Sequence, residues 1–359
     1  MRICYIGDAG SIHLARWAQF FAERGHRIHV VTDTRAELGG CQVHRVPDYS
    51  IPWSVPLLPA LQVLLRKALA VRRLVKKVQP DLVHGHYATN YGFLAALGGF
   101  RPLVQTVHGS DLMIDLDGRI ENRLFIRYAL RRADLVTSVA QHITRRIRRL
   151  GVSPQRITTF QYGVDTEVFT PPDAQSRRNP TRVVSTRHLE WRYNLQLLVK
   201  AIPCVLDAVP DASFVLVGDG PDRARLTHMA CDLGITDPVA FPGHIGQAAV
   251  AQHLQGASVY VSTSLTDGAS LSLLEAMACG AFPVVTDIPA NREWITHGAN
   301  GLLVPADNPE ALAFAILRAL KDRDLCQAAA KQNVSVVQGR ASYRHNMARM
   351  ERLYQQLVG

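Results

Sequence analysis

Residues 1–32 read MRICYIGDAGSIHLARWAQFFAERGHRIHVVT, and their pattern sets the fold class. Residues 3–6 form a short apolar run of strand type. Residues 12–24 place Leu14, Trp17, Phe20 and Phe21 on one face at helical spacing, and residues 28–32 form a second apolar run. Strand, turn, amphipathic helix and strand make one βαβ unit, the building block of a parallel sheet.

Outward from that unit the alternation continues, with further strands expected at 82–86, 103–108 and 135–139. It breaks at residues 171–180, Pro-Pro-Asp-Ala-Gln-Ser-Arg-Arg-Asn-Pro, which lack apolar periodicity and read as a linker. It then restarts, with strands expected at 182–186, 213–217, 239–241, 259–262 and 282–285. Residues 343–358 are helical in pattern, with Met347, Met350, Leu353, Tyr354 and Leu357 recurring at helical spacing. The expected fold is α/β: two Rossmann-like doubly wound domains facing a cleft, 1–170 and 181–335, each with its ligand region beyond the carboxyl ends of its strands.

Length and composition agree with two cores: 359 residues, 47% apolar and 19% charged, without a low-complexity run. The six cysteines have no metal or redox spacing, and the expectation is reduced thiols. The chain opens directly into a strand without a signal-peptide core, and no run of about 18 apolar residues occurs, so a cytoplasmic place is expected. Net charge is +10 and uneven. Residues 1–165 hold 23 Lys+Arg against 12 Asp+Glu, whereas residues 166–359 hold 17 against 18. An anionic partner for the first half is the expectation.

Two loops carry candidate chemistry. In the first turn, Gly7-Asp8-Ala9-Gly10-Ser11, glycine permits close backbone approach to a ligand and the helix start favours phosphate, although the third glycine of a dinucleotide fingerprint is missing. In the second half, Asp267-Gly268-Ala269-Ser270-Leu271-Ser272-Leu273-Leu274-Glu275 sets two carboxylates eight positions apart around an expected helix start near Ala269. Free N–H groups there would face an anion or sugar oxygen, with Asp267 accepting from sugar hydroxyls and Glu275 from ribose hydroxyls. Arg187, at a strand end, and Arg192 offer guanidinium forks that neutralise a diphosphate without a metal. His84 and His86 have an i, i+2 spacing that suggests a metal, but no third ligand stands nearby, and structural or acceptor-side roles fit better.

The segment Thr-Asp267-Gly-Ala-Ser-Leu-Ser-Leu-Leu-Glu275-Ala-Met-Ala-Cys-Gly resembles the acid-x7-acid signature of family 4 retaining glycosyltransferases of the GT-B fold. Tyr162-Gly-Val-Asp165, Val217-Gly-Asp-Gly-Pro221, Phe241-Pro-Gly-His244 and Thr106-Val-His108-Gly-Ser-Asp111 are similar to other segments of that family in order and spacing. The resemblance implies that Arg187 and Arg192 hold the diphosphate, Glu275 the ribose, and Asp267 with the N–H groups of Gly268, Ala269, Ser270 and Leu271 the donor sugar. It further implies that His244 lies against the base, that Gly10 and His108 face the reacting centre, and that residues 336–359 form a C-terminal helix packing back on the first domain. The implied reaction is transfer from a nucleotide diphosphate sugar to a glycan, lipid-linked or small-molecule acceptor, with retention, no cofactor and no metal. A GT-B epimerase and a non-catalytic nucleotide-sugar binder are the competing classes. Two departures stand out: Asp267 where the family usually has Glu, and Arg192-Tyr193 where it usually has Lys-Gly.

Residues 57–78 carry Arg66, Lys67, Arg72, Arg73, Lys76 and Lys77 among Leu61, Leu64, Leu65, Leu69 and Leu74, and Arg145, Arg146, Arg148 and Arg149 form a second cluster. Such helices lie on anionic lipid, so a peripheral place on the inner membrane face is expected. No nucleic acid is expected, because interleaved aromatics and a reading helix are lacking.

Overall fold

The computed structural model describes residues 1–47, 57–116, 120–173 and 178–359, with the side chains of 57–61 also left aside. The side chain of Leu61 and linker residues 174–177 therefore lie outside the described set. The chain divides into one unit of residues 1–161 and 347–359 and a second of residues 162–346.

The first unit runs β1 (Arg2–Ile6), α1 (Ile12–Glu23), β2 (Arg27–Thr32), β3 (Cys41–Arg45), α2 (Leu57–Val78), β4 (Leu82–His86), α3 (Tyr91–Gly98), β5 (Leu103–Val107), α4 (Ile120–Arg132), β6 (Leu135–Ser138), α5 (Gln141–Arg149) and β7 (Ile157–Thr159). Its seven parallel strands lie in the order β3-β2-β1-β4-β5-β6-β7. The order reverses between β1 and β4, which opens a crevice at their carboxyl ends. A Cβ at Gly7 would stand 2.3 Å from Leu14 Cδ1 of α1, so a larger residue there would make that side chain shift.

The second unit runs β8 (Asn179–Ser185), α6 (Leu195–Ala208), β9 (Ser213–Val217), α7 (Arg223–Asp232), β10 (Val239–Gly243), α8 (Gln247–Gln255), β11 (Ala257–Ser262), α9 (Leu271–Ala278), β12 (Phe282–Thr286), α10 (Pro289–Arg292), β13 (Leu302–Val304), α11 (Pro309–Lys321) and α12 (Arg323–Arg340). Its six parallel strands lie in the order β10-β9-β8-β11-β12-β13, so the switch point falls between β8 and β11. Residues alternate between two cores on opposite faces: Val183, Val259 and Val284 on one, Val184, Tyr260 and Val285 on the other. That double burial explains the unbroken apolar runs in its strands.

The last helix, α13 (Tyr343–Val358), starts in the second unit and continues from Met347 as part of the first. Met347, Met350 and Tyr354 are fully buried, and Tyr354 stacks on Phe21 at 5.0 Å and hydrogen-bonds His84 Nδ1. Glu351 accepts from Arg24 Nε at 2.8 Å and pairs with His26 at 2.7 Å.

Three readings change. The boundary expected after residue 170 falls between Gln161 and Tyr162, because Val164 and Phe169 are buried in a core of the second unit. The expected linker ends early, since Asn179 already belongs to β8. Lys67, placed on the basic face of α2, is instead buried and paired with Asp33.

Candidate active site

In the second unit the loops after β8 and β11 meet at the switch point. Leu265 N donates to Arg192 O at 2.9 Å and Thr263 Oγ1 to Tyr193 O at 2.8 Å, which locks one loop against the other. The glycine turn after β9 closes beneath them. A Cβ on Gly218 would lie 2.3 Å from Arg187 O, and one on Gly220 2.3 Å from Leu189 O, both at positive φ. Leu189 N donates to Asp219 O, and Asp222 N donates back to Leu189 O, each at 2.9 Å.

Arg187 is the centre of this arrangement. Its Nη1 donates to Ser270 Oγ at 2.9 Å and Ser272 Oγ at 2.6 Å, and its Nη2 to Asp267 Oδ2 at 2.6 Å. The guanidinium lies over the Tyr193 ring at 4.1 Å, and only 8% of its side chain is exposed. Burial alone lowers its pKa, but Asp267, then Tyr260 and Tyr193, outweigh that and raise it above the ordinary arginine value. Nε is buried without a hydrogen-bond partner among the described residues. Arg192 faces the same tyrosine at 5.6 Å and pairs with Glu190 at 2.9 Å. The two arginines expected near one crevice are thus joined through Tyr193.

Helix α9 begins at Leu271, two residues later than expected near Ala269, because Ser270 is its N-cap and accepts from Leu273 N at 3.3 Å. The N–H groups of Gly268, Ala269, Ser270 and Leu271 carry no hydrogen bond among the described residues. Glu275 is half-buried in the second turn of α9, and His244 is exposed in the loop after β10. Ser272, held by Arg187 and by Tyr260 OH at 3.0 Å, was not singled out from sequence. Its signal is only its place two residues after the capping serine.

In the first unit the corresponding loops follow β1, β4 and β5. Gly10 is exposed, with its N–H on Asp8 Oδ1 at 2.9 Å. His108 stacks on His13 at 5.5 Å and hydrogen-bonds His86 Nδ1 through Nε2 at 3.1 Å. Burial, followed by neighbouring histidines, pushes His86 and His108 well below the ordinary histidine value. His84 is shifted the same way, and its nitrogens meet Tyr354 OH and Thr106 Oγ1. Asp111 is buried and accepts from Gly109 N at 2.8 Å and Ala88 N at 3.0 Å, tying the β4 and β5 loops; burial raises its pKa to about 6. Among the described residues no three His, Cys, Asp or Glu side chains are grouped to hold a metal. The sequence holds two acid-x-acid runs: Asp322-Arg-Asp324, whose first residue caps α12, and Asp115-Leu-Asp117, whose last lies outside the described set.

The family model for "Glycosyl transferases group 1" matches residues 170–335, and that for "Glycosyl transferase 4-like" matches residues 2–140. The chain is 27% identical over 341 residues to N-acetyl-alpha-D-glucosaminyl L-malate synthase of Bacillus anthracis, covering 90% of this chain and 87% of that one. It is 26% identical over 326 residues to phosphatidyl-myo-inositol mannosyltransferase of Mycolicibacterium smegmatis, covering 87% and 81%. In fold it matches Anabaena HepE, solved in complex with UDP and glucose, with a TM-score of 0.80 at 18% identity over 99% of this chain and 100% of that one.

Proposed function

The chain belongs to the group 1 glycosyltransferases, which act on nucleotide sugars, and from that premise we propose that it transfers a sugar with retention and without a metal. The observation that carries the reading is Arg187: a buried guanidinium at the β8/β11 switch point, beside four N–H groups at the start of α9 that carry no hydrogen bond among the described residues. A fixed cation and oriented dipoles in a poorly hydrated place stabilise charge that develops on a leaving diphosphate.

In the proposed step the bond from the anomeric carbon to the diphosphate oxygen breaks, and the acceptor oxygen bonds to the same face of that carbon. The acceptor's proton passes to the leaving phosphate oxygen. Arg187 and Arg192 offset the diphosphate charge, Glu275 receives the ribose hydroxyls, and Asp267 with the N–H groups of Gly268 to Leu271 receives the donor sugar. His244 flanks the base, and Gly10 and His108 serve the acceptor. Native mass spectrometry against a panel of nucleotide sugars selects the donor. Turnover in excess chelator, with the anomeric configuration of the product read by NMR, tests the rest. Activity that only Mg²⁺ or Mn²⁺ restores, an inverted product, or free epimerised nucleotide sugar overturns it.

The acceptor side is proposed to meet an anionic membrane surface on the cytoplasmic side. No helix among the described residues is long and apolar enough to cross a membrane. Helix α2 exposes Arg66, Arg72, Arg73, Lys76 and Lys77 together with Leu65 and Leu69, each 51% exposed, while Val71, Val75 and Val78 face the core. Cations beside exposed leucines suit a headgroup region. The Mycolicibacterium relative bears phosphatidyl-myo-inositol in its name, in keeping with a lipid-linked acceptor.

A further inference from the structure

Over one face of β1, β2 and β3, reaching from the amino ends of β1 and β2 to His44 in β3, lies a pocket of about 350 Å³. Arg2, Arg27 and Lys77 line it with His29, His44 and Gln42, and Leu74 and Val78 close its apolar side. Its lining contains three fixed cations, two imidazoles and no carboxylate. Asp81 stands near but is engaged, accepting from Arg2 N at 2.7 Å. Arg2 Nη1 covers the carbonyls of Val78 at 2.8 Å and Gln79 at 3.1 Å at the end of α2. Arg27 and Lys77 have no ion-pair partner among the described residues.

Gathering like charge around imidazoles is unfavourable by itself, and the histidines register it. Burial, then His44 and Arg2, lower the pKa of His29; burial, then Lys77, lower that of His44. A bound anion removes the repulsion and favours the protonated form. The two rings stack at 5.2 Å, with His29 Nδ1 and His44 Nε2 2.9 Å apart. In the neutral pair one proton lies between those atoms and one sits on an outer nitrogen. A third keeps the bond and makes both outer positions donors, whereas a fourth would set N–H against N–H.

We propose that this pocket binds a phosphate-type dianion and that the His29–His44 pair takes up one proton as it does so. A soluble phosphate monoester and the headgroup of phosphatidic acid share that chemistry. Inorganic sulfate is the cleaner first probe, because its charge stays constant while histidine titrates near pH 6.5.

The test is calorimetric titration of the full chain with sulfate at about pH 6 and about pH 8, in buffers of different ionisation enthalpy. Saturable binding is expected that tightens towards low pH, by at most roughly tenfold per pH unit for one linked proton. Arg27→Gln and Lys77→Gln should each weaken it several-fold. His44→Gln should keep binding but flatten the pH dependence, and imidazole NMR should show His29 and His44 moving while His84 stays. Glycerol phosphate against phosphatidic acid vesicles then separates the two sources. Absence of saturable sulfate binding at low pH, indifference to Arg27→Gln and Lys77→Gln, or an unchanged pH slope in folded His44→Gln overturns the proposal.

Discussion

Arg187 and Asp267 stand 80 positions apart in the chain and meet at 2.6 Å as a nearly enclosed ion pair. Sequence assigned them to different parts of a donor, phosphate and sugar, yet in the fold each is the other's counter-charge. Asp267→Asn keeps the shape and removes the charge. Breaking such a pair costs up to roughly 3 to 5 kcal/mol, so thermal unfolding should shift downward. Affinity for the free nucleoside diphosphate, measured by calorimetry, should hold or rise, because Arg187 loses its competing carboxylate.

Glu275→Gln should behave in the opposite way. With two ribose hydroxyls left poorly matched, donor and free nucleoside diphosphate should both weaken by about 1 to 3 kcal/mol. Equal losses of free nucleotide in Asp267→Asn and Glu275→Gln would show the assignment to be wrong.

Gly220→Ala tests the floor of the site. The new Cβ would stand 2.3 Å from Leu189 O and 2.8 Å from the His188 ring, at a φ of +156°. Strain of roughly 1 to 3 kcal/mol is expected, together with weaker donor binding as the Arg187 loop lifts. Gly25→Ala, at φ +81° with nothing within 4 Å, should cost only about 1 to 2 kcal/mol and leave donor binding intact.

Stability should fall as the medium is acidified below neutral. His84, His86 and His108 are held neutral in the folded chain, so below about pH 6.5 the unfolded chain binds more protons. Each fully titrating histidine then removes up to about 1.4 kcal/mol per pH unit. Asp111 has the opposite sign: its folded pKa of about 6 gives stability that is complete below the unfolded carboxylate value and is lost as pH rises through 6. Unfolding midpoints across this range should therefore drop with falling pH, less steeply in His86→Gln and more steeply in Asp111→Asn.

Wild-type chain should co-sediment with anionic vesicles and not with neutral ones, and binding should weaken as salt contracts the Debye length from about 10 Å at 0.1 M to about 3 Å at 1 M. Charge reversal at Arg72, Arg73 and Lys76 should remove most of it, at about 1 kcal/mol per charge. Lys77 is kept, since it also lines the pocket beneath α2. Wild type that stays in the supernatant with both vesicles would end the membrane reading.

The two parallel sheets were legible in the sequence because strands buried on both faces read as continuous apolar runs. The edge strands β3 and β7 were not, because their half-exposed residues leave no apolar run, and β13 has only three residues. Arg187, Asp267 and Glu275 stood out through spacing and resemblance. Their coupling did not, because a hydrogen bond across 80 positions leaves no local trace. Lys67 misled for the same reason: its partner Asp33 lies far off in the chain, in the loop after β2, so the lysine looked like one more surface cation.

The helix that supplies Tyr354 and Glu351 to the first unit has a consequence for how the chain is made. A ribosome adding roughly 5 to 20 residues per second completes the second unit, residues 162–346, before that helix exists. For something like ten to forty seconds the nascent first unit lacks the cover that Tyr354 gives Phe21 and His84. Its apolar face is then open to chaperones or to a neighbouring nascent chain, and the order of synthesis makes the last helix the step that seals it.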